Sequence, residues 1–94
     1  MSGPENRIES AFVTWCREKH GIDCRKLKDA GKNFFPDRSI ILPGGRIVCI
    51  EFKSPDGHLS KGQERCIEEL RGLGVPVLVT CDKEEAIQWL LEQM

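Results

Sequence analysis

Pro43-Gly44-Gly45 stands between two apolar stretches, Ile40-Ile41-Leu42 and Ile47–Phe52, and it constrains the fold more than any other feature. A proline presets φ at the first central position of a tight turn, and glycine accepts the left-handed conformation that follows. Residues 37–42 and 46–53 therefore read as the two strands of an antiparallel hairpin. Loop length then decides which side chains share a face. With the three-residue loop 43–45, Leu42 faces Arg46 and Asp37 stands across from Glu51. With the two-residue loop Gly44-Gly45, Asp37 points to the opposite face. Pro-Gly-Gly suits the three-residue loop.

The rest of the chain supplies layers for this hairpin. Residues 4–20 predict a helix, with Ile8, Phe12, Trp15 and Cys16 on one stripe. Ser2 with Glu5 reads as its capping box and Gly21 as its stop. Residues 22–28 read as a short polar strand and 29–35 as a loop. Ser60 caps a second helix to about residue 73, with Cys66, Ile67, Leu70 and Leu73 inward. Residues 75–80 form an apolar strand of the type buried on both faces. Asp82 with Glu85 opens a last helix with Ala86, Ile87, Leu90, Leu91 and Met94 on one side. The order is α-β-β-β-α-β-α. The connection from the third strand to the fourth has the length of a parallel crossover, so the sheet should be mixed. With 94 residues, a single α/β domain over 1–94 is expected.

Composition removes several classes. No apolar run reaches the roughly 20 residues of a membrane span, and the polar start has no secretory pattern. Five cysteines without a CxxC pair point to reduced thiols in the cytoplasm, not a disulfide frame or a zinc site. Net charge is −1. Residues 1–53 nevertheless hold ten Lys/Arg against seven Asp/Glu, and residues 54–94 hold four against eight. Arg25, Lys26, Lys28 and Lys32 face only Asp29 within 25–32, a patch that can contact phosphates while the total stays near neutral.

Chemistry concentrates after the hairpin. Glu51 and Lys53 are two apart in a strand and point to one face. The residues before them are apolar on both faces, as in a central strand. Two charges ending such a strand cost several kcal/mol of desolvation unless they are paired or bind an ion. Asp37 across from Glu51 adds a second carboxylate at a Cβ separation of about 4.5–5.5 Å. Two carboxylates that close repel unless a divalent cation lies between them. Glu9, one turn before Phe12, is the candidate from the first helix, since Glu5 already has a capping role. Gln63 lies on the inward side of the second helix, but Ser60-x-x-Gln63 is itself a capping box. Capping and site contact compete for this one side chain.

Taken together, these residues resemble the PD-(D/E)xK nuclease superfamily. The closer match is to VRR-NUC domains of the stand-alone, virus type. It rests on Glu5-x2-Ile8-Glu9-x2-Phe12, Cys24-x-Lys26-Leu27, Pro36-Asp37-Arg38, Pro43-Gly44-Gly45-Arg46, Glu51-Phe52-Lys53, Leu59-Ser60-x2-Gln63 and Leu70-x2-Leu73-Gly74, about residues 5–90. The resemblance implies a restriction-endonuclease-like αβββαβ core and metal-dependent phosphodiester hydrolysis. Asp37, Glu51 and the Phe52 carbonyl would hold Mg²⁺ or Mn²⁺. Lys53 would activate water or contact phosphate. Glu9 corresponds to a helix Glu of related resolvases, as a further metal and catalytic residue, and Gln63 to the family's helix Gln. Arg25, Lys26, Lys28 and Lys32 are the expected nucleic-acid contacts. Small members resemble Holliday junction resolvases and act as homodimers on branched DNA, in a prokaryotic or phage-infected cell, with no membrane and no organic cofactor. The alternatives are a binding module with the same fold but no cleavage, or a nuclease of other DNA or RNA structures. One departure stands out: where many members have Gly shortly before Pro-Asp, this chain has Phe34-Phe35.

Overall fold

The computed structural model describes residues 3–27 and 34–94. Its elements run α1 (Pro4–His20), β1 (Asp23–Arg25), β2 (Arg38–Ile41), β3 (Ile47–Phe52), α2 (Lys61–Gly72), β4 (Val77–Thr80) and α3 (Lys83–Gln93). The sheet order is β1-β2-β3-β4. The first two pairings are antiparallel and β3–β4 is parallel, so the mixed α/β architecture expected from the sequence is the one found.

The hairpin turn behaves as its residues dictate. The Gly45 N–H donates to the Leu42 carbonyl at 3.0 Å and the Leu42 N–H to the Arg46 carbonyl at 2.7 Å. Gly44 and Gly45 have φ of 89° and 85°, which side chains with a Cβ adopt only under strain. The loop is therefore 43–45. The ladder runs Ile41↔Ile47, Ile40↔Val48, Ser39↔Cys49 and Arg38↔Ile50. One further step brings Asp37 across from Glu51.

This register sorts the sheet into two faces. Ile40, Leu42, Val48, Ile50 and Phe52 face α1 and α3, where they form the main core with Phe12, Cys16, Ala86, Ile87 and Leu90. The Phe12 and Phe52 rings meet at 5.5 Å between centroids, tilted by 51°, a favourable aromatic geometry. Cys49 and Val77 face α2 and pack with Ile67. β3 is the central strand, buried over five of its six residues.

Four local expectations are corrected. α1 begins at Pro4 behind Gly3, with no side-chain cap. Proline needs no N–H partner at the first helical position, so the helix starts there and Gly3 takes the N-cap position expected for Ser2; Ser2 itself lies outside the described residues. β4 is an edge strand and its middle residues are only half-buried, because among the described residues no fifth strand covers its outer side. Leu73 is the C-cap of α2 and is 81% exposed: the helix ends before it can turn inward. On α3 the buried residues are Ala86, Ile87 and Leu90, while Leu91 and Met94 are exposed. Leu91 sits about 100° round the helix from Leu90, and Met94 is past the last turn.

All five cysteines are free. Burial pushes the Cys49 thiol above its ordinary value, which keeps it neutral and unreactive. Among the described residues no helix is long and apolar enough to cross a membrane.

Candidate active site

The end of the sheet where β2 begins and β3 ends gathers the chemistry. Asp37 and Glu51 each reach across the register to the backbone of the opposite strand. The Phe52 N–H donates to Asp37 Oδ2 at 2.8 Å, and the Asp37 N–H donates to Glu51 Oε1 at 3.1 Å. Glu51 is 2% exposed, so its charge needs partners. Lys53, on the same face by strand alternation, puts Nζ 3.3 Å from Glu51 Oε2. Gln63 Nε2 donates to the same oxygen at 3.0 Å.

Gln63 resolves the competition expected for it. An amide has two ends, and they do different things. Its Oε1 accepts from the Ser60 N–H at 2.9 Å and from Lys53 Nζ at 3.1 Å, while its Nε2 turns to Glu51. Ser60 Oγ accepts from the Gln63 N–H at 3.1 Å, which completes the capping box. The cap thus orients the side chain that bridges Glu51 and Lys53. Ser60→Ala is expected to cost about 1 kcal/mol of stability, read as a lower thermal midpoint, and to loosen the Gln63 bridge without removing it.

Glu9 has a partner that the sequence expectation did not include. It is buried, and its Oε2 accepts from Arg38 Nε at 2.6 Å in an ion pair. Arg38 lies across from Ile50, on the face packed by α1 and α3, whereas Glu51 is on the α2 face. Arg38 was missed by sequence reasoning. The signal was available: an arginine on the same strand face as Ile40 and Leu42 requires a carboxylate partner.

The basic patch is only partly described. Lys28 and Lys32 lie outside the described residues. Arg25 is exposed and forks onto Asp23, Nε to Oδ1 at 2.8 Å and Nη2 to Oδ2 at 3.0 Å, so Asp23 offsets much of its charge. Lys26 is exposed. It leaves β1 at the end nearest Asp37, because Arg25 pairs with Ser39. His58 is exposed in the loop before α2.

A mixed four-stranded sheet with helices on both faces, and an Asp, a Glu and a Lys at one end, defines a restriction-endonuclease-like α/β protein. No family model matches the chain. Over 75 residues, 80% of this chain and 80% of the relative, it is 35% identical to "Putative nuclease p44" of Acyrthosiphon pisum secondary endosymbiont phage 1. A solved structure described as a VRR_NUC domain superposes with a TM-score of 0.78 at 27% identity, covering 95% of this chain and 96% of that one. A second, a VRR_NUC domain protein, shares the fold at a TM-score of 0.77 and 17% identity, over 98% of this chain and 88% of that one. The chain belongs to the VRR-NUC family of nucleases.

Proposed function

We propose that this protein is a divalent-metal-dependent endonuclease that hydrolyses phosphodiester bonds in branched DNA, as a homodimer in the manner of a Holliday junction resolvase. The observation that carries the reading is the meeting of Asp37, Glu51, Lys53 and Gln63 at one sheet end.

The donor set fits a hard cation. Two carboxylates and the Phe52 carbonyl offer only oxygen, and Mg²⁺ is commonly held by one or two carboxylates plus substrate phosphate. Such an oxygen-only set differs from the nitrogen- and sulfur-rich ligands of zinc sites. When bound, such a cation supplies acidified water and polarises the phosphoryl oxygen. Asp37 and Glu51, both on the α2 face, would hold it. Lys53 donates from Nζ to Gln63 and pairs with Glu51, so its part is to neutralise charge on the scissile phosphate. Gln63 keeps Glu51 and Lys53 in register. Glu9 acts through Arg38, fixing the residue that follows Asp37. Lys26, with Arg25, Lys28 and Lys32, supplies backbone phosphate contacts beside the site.

One contact favours a second reading, a binding module without cleavage: Glu51 and Lys53 already form an ion pair with each other. Titration calorimetry with Mn²⁺ separates the two. The nuclease reading expects heat that disappears in Asp37→Asn; the module expects none that depends on Asp37. A panel of duplex, flap, four-way junction and RNA then reads the substrate, with paired cuts in the junction expected. Two opposed cuts need two sites, which a two-fold dimer supplies. Light scattering near ~21 kDa, twice the 10.7 kDa chain, supports that arrangement; a monomer that makes paired symmetric cuts refutes it.

A further inference from the structure

The Phe34 ring is held in an unusual way beside the site. It packs on the backbone of Gly62, the residue before Gln63. A Cβ at position 62 would lie 2.6 Å from Cε1 of Phe34 and 2.7 Å from Cδ1 and Cζ. Only glycine lets the ring sit there. The ring is nevertheless 48% exposed, although an aromatic of this size gains most from full burial. It therefore combines a seat on Gly62 with an open side. A cavity of about 450 Å³ lies next to it, lined also by Leu27, Phe35, Arg65, Cys66 and the carboxylate of Glu69. Both ends of the seat are tied to the site, since Phe34 is three residues before Asp37 and Gly62 adjoins Gln63.

We propose that Phe34 is a base-stacking residue: an unpaired nucleobase beside the scissile phosphate lies on its open side, over the cavity, with Arg65 at the rim. This rests on the nuclease reading above and specifies which substrate feature the site selects. The occupant follows from position and chemistry. A phosphodiester placed at Asp37 and Glu51 carries its bases within reach of a ring only three residues along the chain. Every base has a π-face, so stacking of this kind tolerates any sequence. It asks only that the base be free of its own stack, a condition met most cheaply at branch points and single-stranded ends.

The test uses the 94-residue chain as Asp37→Asn, expected to bind nucleic acid without cutting it, and a four-way junction carrying 2-aminopurine at the branch point, in EDTA. Stacking on Phe34 is expected to change the probe's fluorescence on binding. Phe34→Ala should abolish that change and weaken binding about ten- to a hundredfold, while Phe34→Tyr retains both. Phe34→Leu keeps apolar mass without a π-face and should behave like Ala. Gly62→Ala, checked for folding by circular dichroism, should reproduce the loss by displacing the ring. An unchanged signal and affinity in Phe34→Ala, or full recovery in Phe34→Leu, overturns the proposal. The nuclease reading fails separately: a wild-type chain that cuts nothing with Mg²⁺ or Mn²⁺, yet shows the Phe34-dependent signal, is a stacking module and not an enzyme.

Discussion

Asp37→Asn is expected to lower cleavage by about a thousandfold or more while leaving the fold intact. The stabilisation a carboxylate-held metal gives a phosphoryl transition state is several kcal/mol, and ~4 kcal/mol corresponds to about three orders of magnitude in rate. The fold should survive because asparagine keeps the acceptor that Phe52 N–H uses at 2.8 Å. Asp37 also stands across the register from buried Glu51, and removing one of two close negative charges relieves repulsion. The thermal midpoint should therefore stay level or rise as activity falls. That opposite movement separates a residue kept for chemistry from one kept for packing. A variant that melts earlier and retains its rate would make Asp37 a structural ligand of the Phe52 amide.

Glu9→Leu is expected to do the reverse, with its main cost in stability. It leaves the Arg38 guanidinium without the carboxylate 2.6 Å away, on a face otherwise occupied by Ile40, Leu42 and Ile50. Breaking a fully buried pair costs about 3–5 kcal/mol. Both side chains here keep some solvent contact, 10% and 19%, so about 2–3 kcal/mol is the better expectation. In a chain of this length each kcal/mol moves the thermal midpoint by about 4–8 °C, so a fall of ~10–20 °C should be seen. Glu9→Leu with Arg38→Met should recover most of it, because two apolar side chains replace two charges on an apolar face. If the double variant is as unstable as the single, the two residues are not coupled in this way. If Glu9→Leu keeps full stability but loses cleavage, Glu9 belongs with Asp37 and Glu51 after all.

Local chemistry determined a great deal of this protein without any tertiary information. Pro43-Gly44-Gly45 admits few turn geometries, and the period-two alternation of strands carries that turn's register along the ladder. The juxtaposition of Asp37 with Glu51 was therefore readable from the sequence. Lys53 followed from alternation, and Gln63 followed from helical spacing behind Ser60. The order of helices and strands was readable for the same reason, since each element carries its own apolar period and its own breakers. What only the tertiary structure decided concerns groups whose partners are distant in the chain. Glu9 and Arg38 are 29 residues apart, and no local rule links a helix carboxylate to one strand face over the other. The two uses of Gln63 were invisible because the cap is a three-residue matter, whereas Glu51 and Lys53 reach it only once α2 is packed on the sheet. The seat of Phe34 on Gly62, and the position of β4 at the edge, likewise follow from how α2 and the crossover pack. Side-chain periodicity is a property of a segment; burial and pairing are properties of what lies on the other side of it.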